Sequence, residues 1–302
     1  MSRLLGRGLG VMLALAALVA AAPAHAQEPL NLLYFGNSFT QATCCGGTRS
    51  VPAVVFDLAR AAGYPAPRTV NRSVNGQSLQ WHIDNNASAI NTGIPAGEDW
   101  DFVVLQDLST MPTRLGSLSQ HLSSTLDMYQ LVADRSPDVV PVLYETWARG
   151  PGHSFYAGAN PSFPGGPAEM QAELRDGYEQ STANINQAVG MDIARLARAG
   201  DAWEADDFWL GLYANDIYHA NNRGVLLNGL VLYGTIYGDP TTSDIPLASV
   251  LNQLGLSAED GARLTAVADS VLAIPEPSSG TLLLASFALA GRRRRARARR
   301  SV

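Results

Sequence analysis

Three residues far apart in this chain could act together in nucleophilic catalysis. An apolar run ends in Gly36-Asn37-Ser38, and much later in the chain Asp216 precedes His219 by three positions. A serine hydroxyl becomes a nucleophile when a neutral imidazole accepts its proton, and a carboxylate on the other ring nitrogen fixes the tautomer. One short loop can supply both the acid and the imidazole. The pattern therefore predicts a Ser-His-Asp hydrolase with Ser38 as its nucleophile.

Each of these residues also has a purely structural explanation. Ser38 could cap the helix or turn after the first strand, because serine is a favoured cap. Asp216 could cap a helix that begins near Asn222, and His219 could be a satisfied, partly buried histidine. Gly76, in an Asn-Gly pair, is also an ordinary turn residue. The catalytic interpretation is favoured because the candidates occur at strand ends and in a late loop, in a consistent order.

The elements that must position these residues alternate along the chain. Apolar runs predict strands over Leu30–Phe35, Arg68–Val74, Phe102–Leu105, Val139–Tyr144 and, less apolar, Asp192–Ala199. Helices are predicted over Val51–Ala62, Leu79–Ile90, Leu118–Ala133, Ala168–Val189 and Arg223–Tyr237. Runs that are continuously apolar are typical of strands covered on both faces. The order predicts a three-layer α/β/α fold with a doubly wound parallel sheet.

The candidate residues share one edge of this predicted sheet, where the carboxyl ends of the strands lie. The residues that directly follow strand ends are Ser38, Gly76, Gln106, Asp107 and Glu145. Ligands of doubly wound sheets bind outside these ends. The Gly- and Pro-rich segment 149–167 predicts a long loop over the same edge. Segment 238–273 predicts a closing loop and a short amphipathic helix.

The motifs resemble those of the SGNH (GDSL-type) hydrolases, which implies a flavodoxin-like α/β/α fold. The resemblance further implies an esterase, lipase, thioesterase or carbohydrate deacetylase. By position, Ser38 would be the nucleophile, His219 the base and Asp216 its orienting carboxylate. The Ser38 and Gly76 amides would donate to the oxyanion. Asn37 stands where the family usually has aspartate, and this change leaves the mechanism intact because the residue shapes the turn.

The third family motif, Gly-x-Asn-Asp, is the main departure, since the matching strand end reads Val-Leu-Gln106-Asp107. The resemblance implies Gln106 as a side-chain oxyanion donor that is one methylene longer. Losing one such donor typically costs on the order of a hundredfold or more in rate. The residues predicted for the substrate rim are Asn37, Asp107, Glu145 and Trp147.

Two functions therefore stay open. The first is a serine esterase acting on small-molecule or polysaccharide esters, with carbohydrate O-acyl (acetyl) groups as the favoured substrate. Lipase or thioesterase activity is the nearest rival to that substrate. The second is a catalytically weak surface or matrix glycan-binding protein on the same fold, a reading motivated by the altered third motif.

Residues 1–26 have the features of a secretory signal peptide. Arg3 and Arg7 precede an apolar run from Val11 to Ala22, and small residues stand at the cleavage positions around Ala26. We therefore expect an exported protein whose main domain covers residues 27–273.

Residues 274–302 resemble the PEP-CTERM sorting signal of Gram-negative bacteria. A Pro-Glu-Pro motif is followed by the apolar segment 281–290 and then by an arginine cluster. The resemblance implies an exosortase-type processing enzyme as a partner, and delivery to the cell surface or its polysaccharide matrix. Segment 281–290 would anchor the chain transiently in the inner membrane, with the arginines on the cytoplasmic side. The predicted location is the periplasm, the cell surface or the extracellular matrix.

Composition narrows the possible partners. Residues 27–273 hold 12 basic and 26 acidic side chains, a net charge of about −14, so nucleic acid and anionic membranes would be repelled. Cys44 and Cys45 are adjacent and can close only a vicinal disulfide, which predicts a packing or labile redox role rather than a scaffold. No Cys/His spacing predicts a zinc site, and no cofactor is expected.

Overall fold

A computed structural model describes residues 28–274 and has a five-stranded parallel sheet at its centre. The strands are β1 Asn31–Phe35, β2 Arg68–Asn71, β3 Phe102–Leu105, β4 Val140–Tyr144 and β5 Arg195–Ala197. They lie in the order β2-β1-β3-β4-β5, and all neighbours are parallel. This is the flavodoxin-like order, in which the chain reverses its direction of winding between β1 and β3.

Helices cover both faces of the sheet. Those of the described chain are α1 Ser38–Gln41, α2 Val51–Ala61, α3 Leu79–Asn85, α4 Ala89–Thr92, α5 Leu118–Arg135, α6 Gly166–Val189, α7 Ala199–Ala205, α8 Asn222–Tyr237, α9 Ala248–Leu254 and α10 Ala258–Leu272. Buried side chains of α2, α7, α8, α9 and α10 form one core, and those of α3, α4 and α5 form another. Helix α6 contributes to both cores. The predicted three-layer α/β/α fold is confirmed.

Strand β1 shows why an apolar run predicts such a layer. Leu32 and Tyr34 point into one core, and Leu33 and Phe35 point into the other. All four side chains are fully buried. Because successive side chains of a strand point to opposite faces, a strand between two helix layers needs apolar residues at every position. Strand β2 differs, since it lies at the sheet edge and its residues are exposed or half-buried.

Some element boundaries differ from those predicted. The single helix expected over Leu79–Ile90 is two helices, α3 and α4. Asn86 ends α3 because its side chain is used elsewhere: its amide donates to the Arg72 carbonyl and pairs with His82 Nδ1. Asparagine competes with the helical backbone in this way.

Three helices of the described chain were not predicted: the single turn α1, and helices α7 and α10. Helix α7 begins at the last residue of the run predicted as the fifth strand, and β5 itself is only three residues long. Helix α10 occupies most of the predicted closing loop. The helix starts with a capping box: the Ser257 side chain accepts from the Asp260 amide, and the Asp260 side chain accepts from the Ser257 amide. This pair of residues is a helix-start signal that can be recognised in the sequence.

The predicted signal peptide and nearly all of the predicted sorting tail lie outside the described residues. The boundaries at 26 and 273 stay predictions. Within residues 28–274, no helix is both long and apolar enough to cross a membrane.

Candidate active site

Ser38 begins the short helix α1, and Gly36 and Asn37 separate it from the end of β1. Asn37 caps this helix, since its Oδ1 accepts a hydrogen bond from the Phe39 amide at 3.1 Å. The Asn37 Nδ2 donates to the carbonyls of Gln77 and Asp107, both at 3.2 Å. Asn37 thus ties the turn to the loops that follow β2 and β3. The capping role belongs to Asn37, which leaves the Ser38 hydroxyl available for another partner.

That partner is His219, which lies 181 positions later in the chain. The Ser38 Oγ is 3.0 Å from His219 Nε2, and His219 Nδ1 is 2.7 Å from Asp216 Oδ2. The neutral tautomer with a proton on Nδ1 satisfies both contacts, because Nδ1–H donates to the carboxylate and Nε2 accepts from the hydroxyl. The structure therefore brings together the three residues that the sequence singled out, in an order suited to proton transfer.

Asp216 is held by more than the imidazole. Its Oδ1 accepts hydrogen bonds from the Tyr218 and His219 amides at 3.0 and 2.9 Å. Partial burial alone would raise the pKa of Asp216, but the hydrogen bonds from the His219 ring and the two amides lower it below its ordinary value. Asp216 does not cap helix α8, whose N-cap is Asn221.

The loop that carries Asp216 and His219 closes on itself. Tyr213 and Ala220 form an antiparallel bridge at its base. Ile217, between the acid and the imidazole, has φ of 51°, a left-handed conformation that is unfavourable for a β-branched residue. The Gly150 amide donates to the Ile217 carbonyl at 2.8 Å. The segment after β4 therefore holds this strained turn in place.

Arg149 joins the two halves of the site. Its guanidinium carbon lies 3.7 Å from the centre of the Tyr218 ring and 5.5 Å from that of Phe39. These residues adjoin His219 and Ser38 in sequence, so one buried cation packs against both loops. Its Nη2 donates to Ser109 Oγ at 2.9 Å. Burial lowers the pKa of Arg149 to about 10.

The two backbone amides predicted as oxyanion donors belong to Ser38 and Gly76. The Ser38 amide is at the start of a helix, where no helical carbonyl can accept it. Gly76 is exposed and has φ of 74°, a conformation that favours glycine. Its loop is tied to the Ser38 turn by the Asn37–Gln77 hydrogen bond and by a bond from the Val74 amide to the Gly36 carbonyl at 3.0 Å.

The predicted role of Gln106 as a side-chain oxyanion donor is not what the structure shows. Its Oε1 accepts from the Asn37 amide at 3.0 Å and from Thr40 Oγ1 at 2.8 Å. Its Nε2 donates to the Asp107 carbonyl, and the residue is fully buried. The longer side chain folds under the Ser38 turn and braces it, so its amide faces away from any substrate.

Asn37 and Asp107 are also not rim residues, because both are almost completely buried. Asp107 Oδ1 accepts from the Leu79 and Leu108 amides at 2.9 and 2.8 Å, and Oδ2 lies 3.1 Å from His121 Nδ1. Both residues connect the loops at the strand ends instead of facing solvent.

Glu145 and Trp147 are fully buried as well, so the predicted rim is wrong at all four positions. Glu145 Oε1 accepts from Gln171 Nε2 at 2.6 Å. Trp147 stacks between Phe39 and Trp203, with ring centres 4.2 and 4.4 Å away. The physical reason is that β4 lies inside the sheet, and helices α6 and α7 cover the residues that follow it.

Sequence reasoning missed the contribution of Arg149 and Tyr218 and the neighbourhood of the cysteines. Cys44 and Cys45 form a disulfide, and their sulfurs lie within 4.8 Å of a His219 ring nitrogen and of each other. This is the one group of metal-ligand side chains found within residues 28–274. No spacing along the chain indicated it, because its members come from two loops.

A surface cavity of about 580 Å³ lies elsewhere, between the end of α6 and β5. Its lining includes Glu179, Asn186 and Arg198 but none of the residues around Ser38. It offers no nucleophile paired with a base, so the chemistry described here does not involve it.

No protein-family model and no curated protein matches this sequence. Solved structures do share its fold. A DUF4886 family protein from Bacteroides uniformis superposes with a TM-score of 0.61 at 16% identity, over 81% of this chain and 95% of that one. A protein assigned to the SGNH hydrolases, from Slackia heliotrinireducens, gives 0.52 at 24% identity, over 69% and 100%.

A family 3 carbohydrate esterase from Clostridium thermocellum gives a TM-score of 0.50 at 14% identity, over 70% of this chain and 96% of that one. Identities this low carry information about the fold and not about the reaction. With its five parallel strands between helix layers, this chain has the fold of the SGNH hydrolases.

Proposed function

We propose that this protein is a serine hydrolase that cleaves ester bonds. The observation that carries the proposal is the continuous chain of contacts from Ser38 Oγ through the His219 ring to Asp216, with distances of 3.0 and 2.7 Å. Both lie within the range that proton transfer requires. One solved structure with the same fold is assigned to the SGNH hydrolases.

In this mechanism the Ser38 Oγ attacks the acyl carbonyl while His219 Nε2 accepts its proton. Asp216 stabilises the imidazolium that forms. The Ser38 and Gly76 amides donate to the oxyanion of the tetrahedral intermediate. His219 then gives its proton to the departing alcohol. In the second half of the reaction, water attacks the acyl group on Ser38 while His219 accepts a proton from the water, and His219 then returns that proton to Ser38 Oγ.

The position of Gln106 affects the expected rate. With its amide used inside the protein, the oxyanion receives backbone donors alone, and a missing donor typically costs about 10²–10³ in rate. We therefore expect slow turnover relative to an enzyme with three donors. The same feature favours the second candidate, a glycan-binding protein with weak catalysis.

For the substrate, we propose O-acyl groups of carbohydrates. The predicted export to a polysaccharide-rich surface supports this choice, and so does the loop after β4, where Phe155 and Tyr156 are half-buried. One structure with this fold is a carbohydrate esterase. Lipase or thioesterase activity is the alternative within the same reaction class.

The proposal is tested by the turnover of p-nitrophenyl acetate and of acetylated xylan. We expect Ser38→Ala to lower the rate by about 10³-fold or more, since the nucleophile is lost. Ser123→Ala is the matched control, because Ser123 is an exposed serine on α5. A fluorophosphonate should label the wild-type chain and the control but not Ser38→Ala.

Equal rates for the wild-type chain and Ser38→Ala would contradict the proposed hydrolase. Binding of both forms to acetylated xylan without turnover would then support the glycan-binding alternative. A panel of esters with different acyl lengths and carriers distinguishes carbohydrate esters from lipid or thioester substrates.

A further inference from the structure

The Cys44–Cys45 disulfide lies beside the proposed catalytic base and has no part in ester hydrolysis. Cys44 is exposed and Cys45 is half-buried, so reagents in solution can reach the pair. Both sulfurs and a His219 ring nitrogen lie within 4.8 Å of one another. The side chain of His219 is 11% exposed. A solvent-accessible disulfide thus adjoins the imidazole that would accept the serine proton.

The loop with the cysteines is packed tightly against the loop with His219. A Cβ on Gly46 would lie 2.5 Å from the Ala214 Cβ and 2.9 Å from the Ala220 carbonyl oxygen, so the two backbones are in close contact. The Thr48 amide donates to Asn222 Oδ1 at 2.7 Å, just beyond the same loop. The closeness of the two loops therefore follows from their backbone packing.

Two thiolates and an imidazole are the donors that Zn²⁺ and softer divalent cations prefer. At bond lengths of about 2.3 Å to sulfur and about 2.0 Å to nitrogen, the donors of a tetrahedral site lie roughly 3.5–3.8 Å apart. In the structure the sulfurs and a His219 ring nitrogen lie within 4.8 Å of one another. On reduction the two sulfurs, which are bonded to each other here, would have to move apart to reach that spacing.

The Asp216–His219 pair has the arrangement found behind metal-bound histidines. Such a histidine usually donates its other ring N–H to a carboxylate. His219 Nδ1 already lies 2.7 Å from Asp216 Oδ2, so the free lone pair is on Nε2. A neutral imidazole has one such lone pair, and it can bind either the Ser38 proton or a cation.

We propose that reduction of the Cys44–Cys45 disulfide creates a binding site for one soft divalent cation, formed by both sulfurs and His219 Nε2. The bound cation blocks the base and stops the reaction at Ser38. In the oxidised protein the sulfurs are bonded to each other and have no thiolate to offer, so the disulfide keeps the base free. The cation binding stands by itself, while its inhibitory effect rests on the proposed function.

The chemistry requires a two-electron reductant, such as a trialkylphosphine. Phosphorus supplies the two electrons that break the S–S bond, and it takes up the oxygen of one water molecule. The two protons of that water end on the two thiols. Cation binding then releases these protons, because the ligands are thiolates.

The binding test uses Cd²⁺ and the full chain, either oxidised or reduced with a phosphine that is then removed. We expect the reduced protein to bind one Cd²⁺ per chain with the ultraviolet absorption of a cadmium–thiolate bond. The oxidised protein and a Cys44→Ser/Cys45→Ser double variant should show neither. Strong one-to-one binding by the double variant would overturn the proposal.

The role of His219 is tested by affinity, independently of catalysis. In the reduced protein, Asp216→Asn should weaken Cd²⁺ binding about 10–100-fold, as expected when the partner of a ligating histidine is removed. His219→Gln should weaken it at least as much. His153→Gln is the matched control and should bind like the wild-type chain. Equal affinity of His219→Gln and the control would overturn His219 as a ligand.

Activity measurements separate the two proposals. One equivalent of Cd²⁺ should abolish fluorophosphonate labelling of Ser38 in the reduced wild-type chain, and a chelator should restore it. For the double variant, the ratio of rates with and without Cd²⁺ should be one. Ser38→Ala should bind Cd²⁺ like the wild-type chain.

The two proposals can fail separately. If Cd²⁺ binds with the expected dependence on His219 but no ester is cleaved, only the proposed function fails. If the ester is cleaved but the reduced protein does not bind Cd²⁺, only the proposed cation site fails.

Discussion

Asp216 lies nearer to solvent than the imidazole that it orients. The side chains of Asp216 and His219 are 43% and 11% exposed. Water screens an exposed ion pair, so the stabilisation of the imidazolium by charge alone is modest. The hydrogen bond between His219 Nδ1 and Asp216 has a second effect: it selects the tautomer whose Nε2 can accept the serine proton. At the scale of single residues, the carboxylate therefore acts mainly by orientation.

Replacing this carboxylate by an amide tests the orienting role. We expect Asp216→Asn to lower kcat for p-nitrophenyl acetate by between about 10² and 10⁴-fold, because the amide permits the wrong tautomer. Asp134→Asn, an exposed acid on α5, is the charge-matched control and should keep the wild-type rate. Rates within a factor of about two for both variants would argue against Asp216 as the orienting group.

The pH dependence of stability follows from the same carboxylate. Hydrogen bonds lower the pKa of Asp216 in the folded chain, so its contribution to stability is complete above the unfolded value and is lost as pH falls through the lower folded value. The difference in Tm between the wild-type chain and Asp216→Asn should therefore shrink below about pH 4. A difference that grows in acid would contradict this sign.

At the scale of elements, the turn between β1 and α1 determines where the serine points. Gly36 has no side chain, and the Gln106 and Thr40 side chains occupy the space beside it. A Cβ there would lie 2.3 Å from Thr40 Oγ1 and 2.8 Å from Gln106 Oε1. The Gly36 carbonyl also accepts from His82 Nε2 at 2.8 Å. The turn is therefore braced from several sides by buried polar groups.

This crowding predicts that Gly36→Ala is destabilising by about 1–3 kcal/mol, the usual cost of overpacking a filled site. Because the displaced groups brace the Ser38 turn, the rate of ester cleavage should also fall. Gly97→Ala is the matched control, since a Cβ at Gly97 meets nothing within 4 Å. Its effect should stay within about 0.5 kcal/mol. Denaturant unfolding and p-nitrophenyl acetate turnover measure both effects, and equal stability of the two variants would contradict the argument.

At the scale of the whole molecule, one buried acid affects stability without belonging to the site. Glu145 is fully enclosed beneath α6 and α7, and burial together with the nearby carboxylate of Asp201 raises its pKa well above the ordinary value. The guanidinium groups of Arg175 and Arg198 only partly offset this rise. The folded chain therefore keeps a proton on Glu145 at a pH where the unfolded chain has lost it.

This difference makes the wild-type chain lose stability as pH rises above about 4.5, by up to about 1.4 kcal/mol per pH unit until Glu145 ionises in the folded state. Glu145→Gln removes the titration, so its free energy of unfolding relative to the wild-type chain should rise over the same range. Glu28→Gln, at an exposed position, is the control. Parallel stability curves for Glu145→Gln and the wild-type chain would contradict a raised pKa.

Local patterns were sufficient for most of the framework. The apolar run of β1 indicated two covered faces, and the alternation of strands and helices indicated the sheet between helix layers. The short spacing of Asp216 and His219 indicated one loop with both groups. These inferences succeed because strand pleat, helix period and turn geometry act over a few neighbouring residues.

The signal for α10 was present as Ser257 and Asp260 in a capping box, so its omission came from interpretation and not from missing information. The substrate rim was a different kind of error. Position after a strand end does not determine which way a side chain points, and Glu145 and Trp147 turn under the helices that cover β4.

By itself, then, the sequence determined the layered fold and the identity of the three residues proposed for catalysis. It did not reveal that Ser38 meets His219 or that Gln106 turns inward to accept from the Asn37 amide. Nor did it reveal that Arg149 packs against both loops and that the cysteines adjoin the imidazole. The physical reason is distance along the chain. Local backbone preferences act between near neighbours, whereas these contacts join loops that meet only when both faces of the sheet are packed.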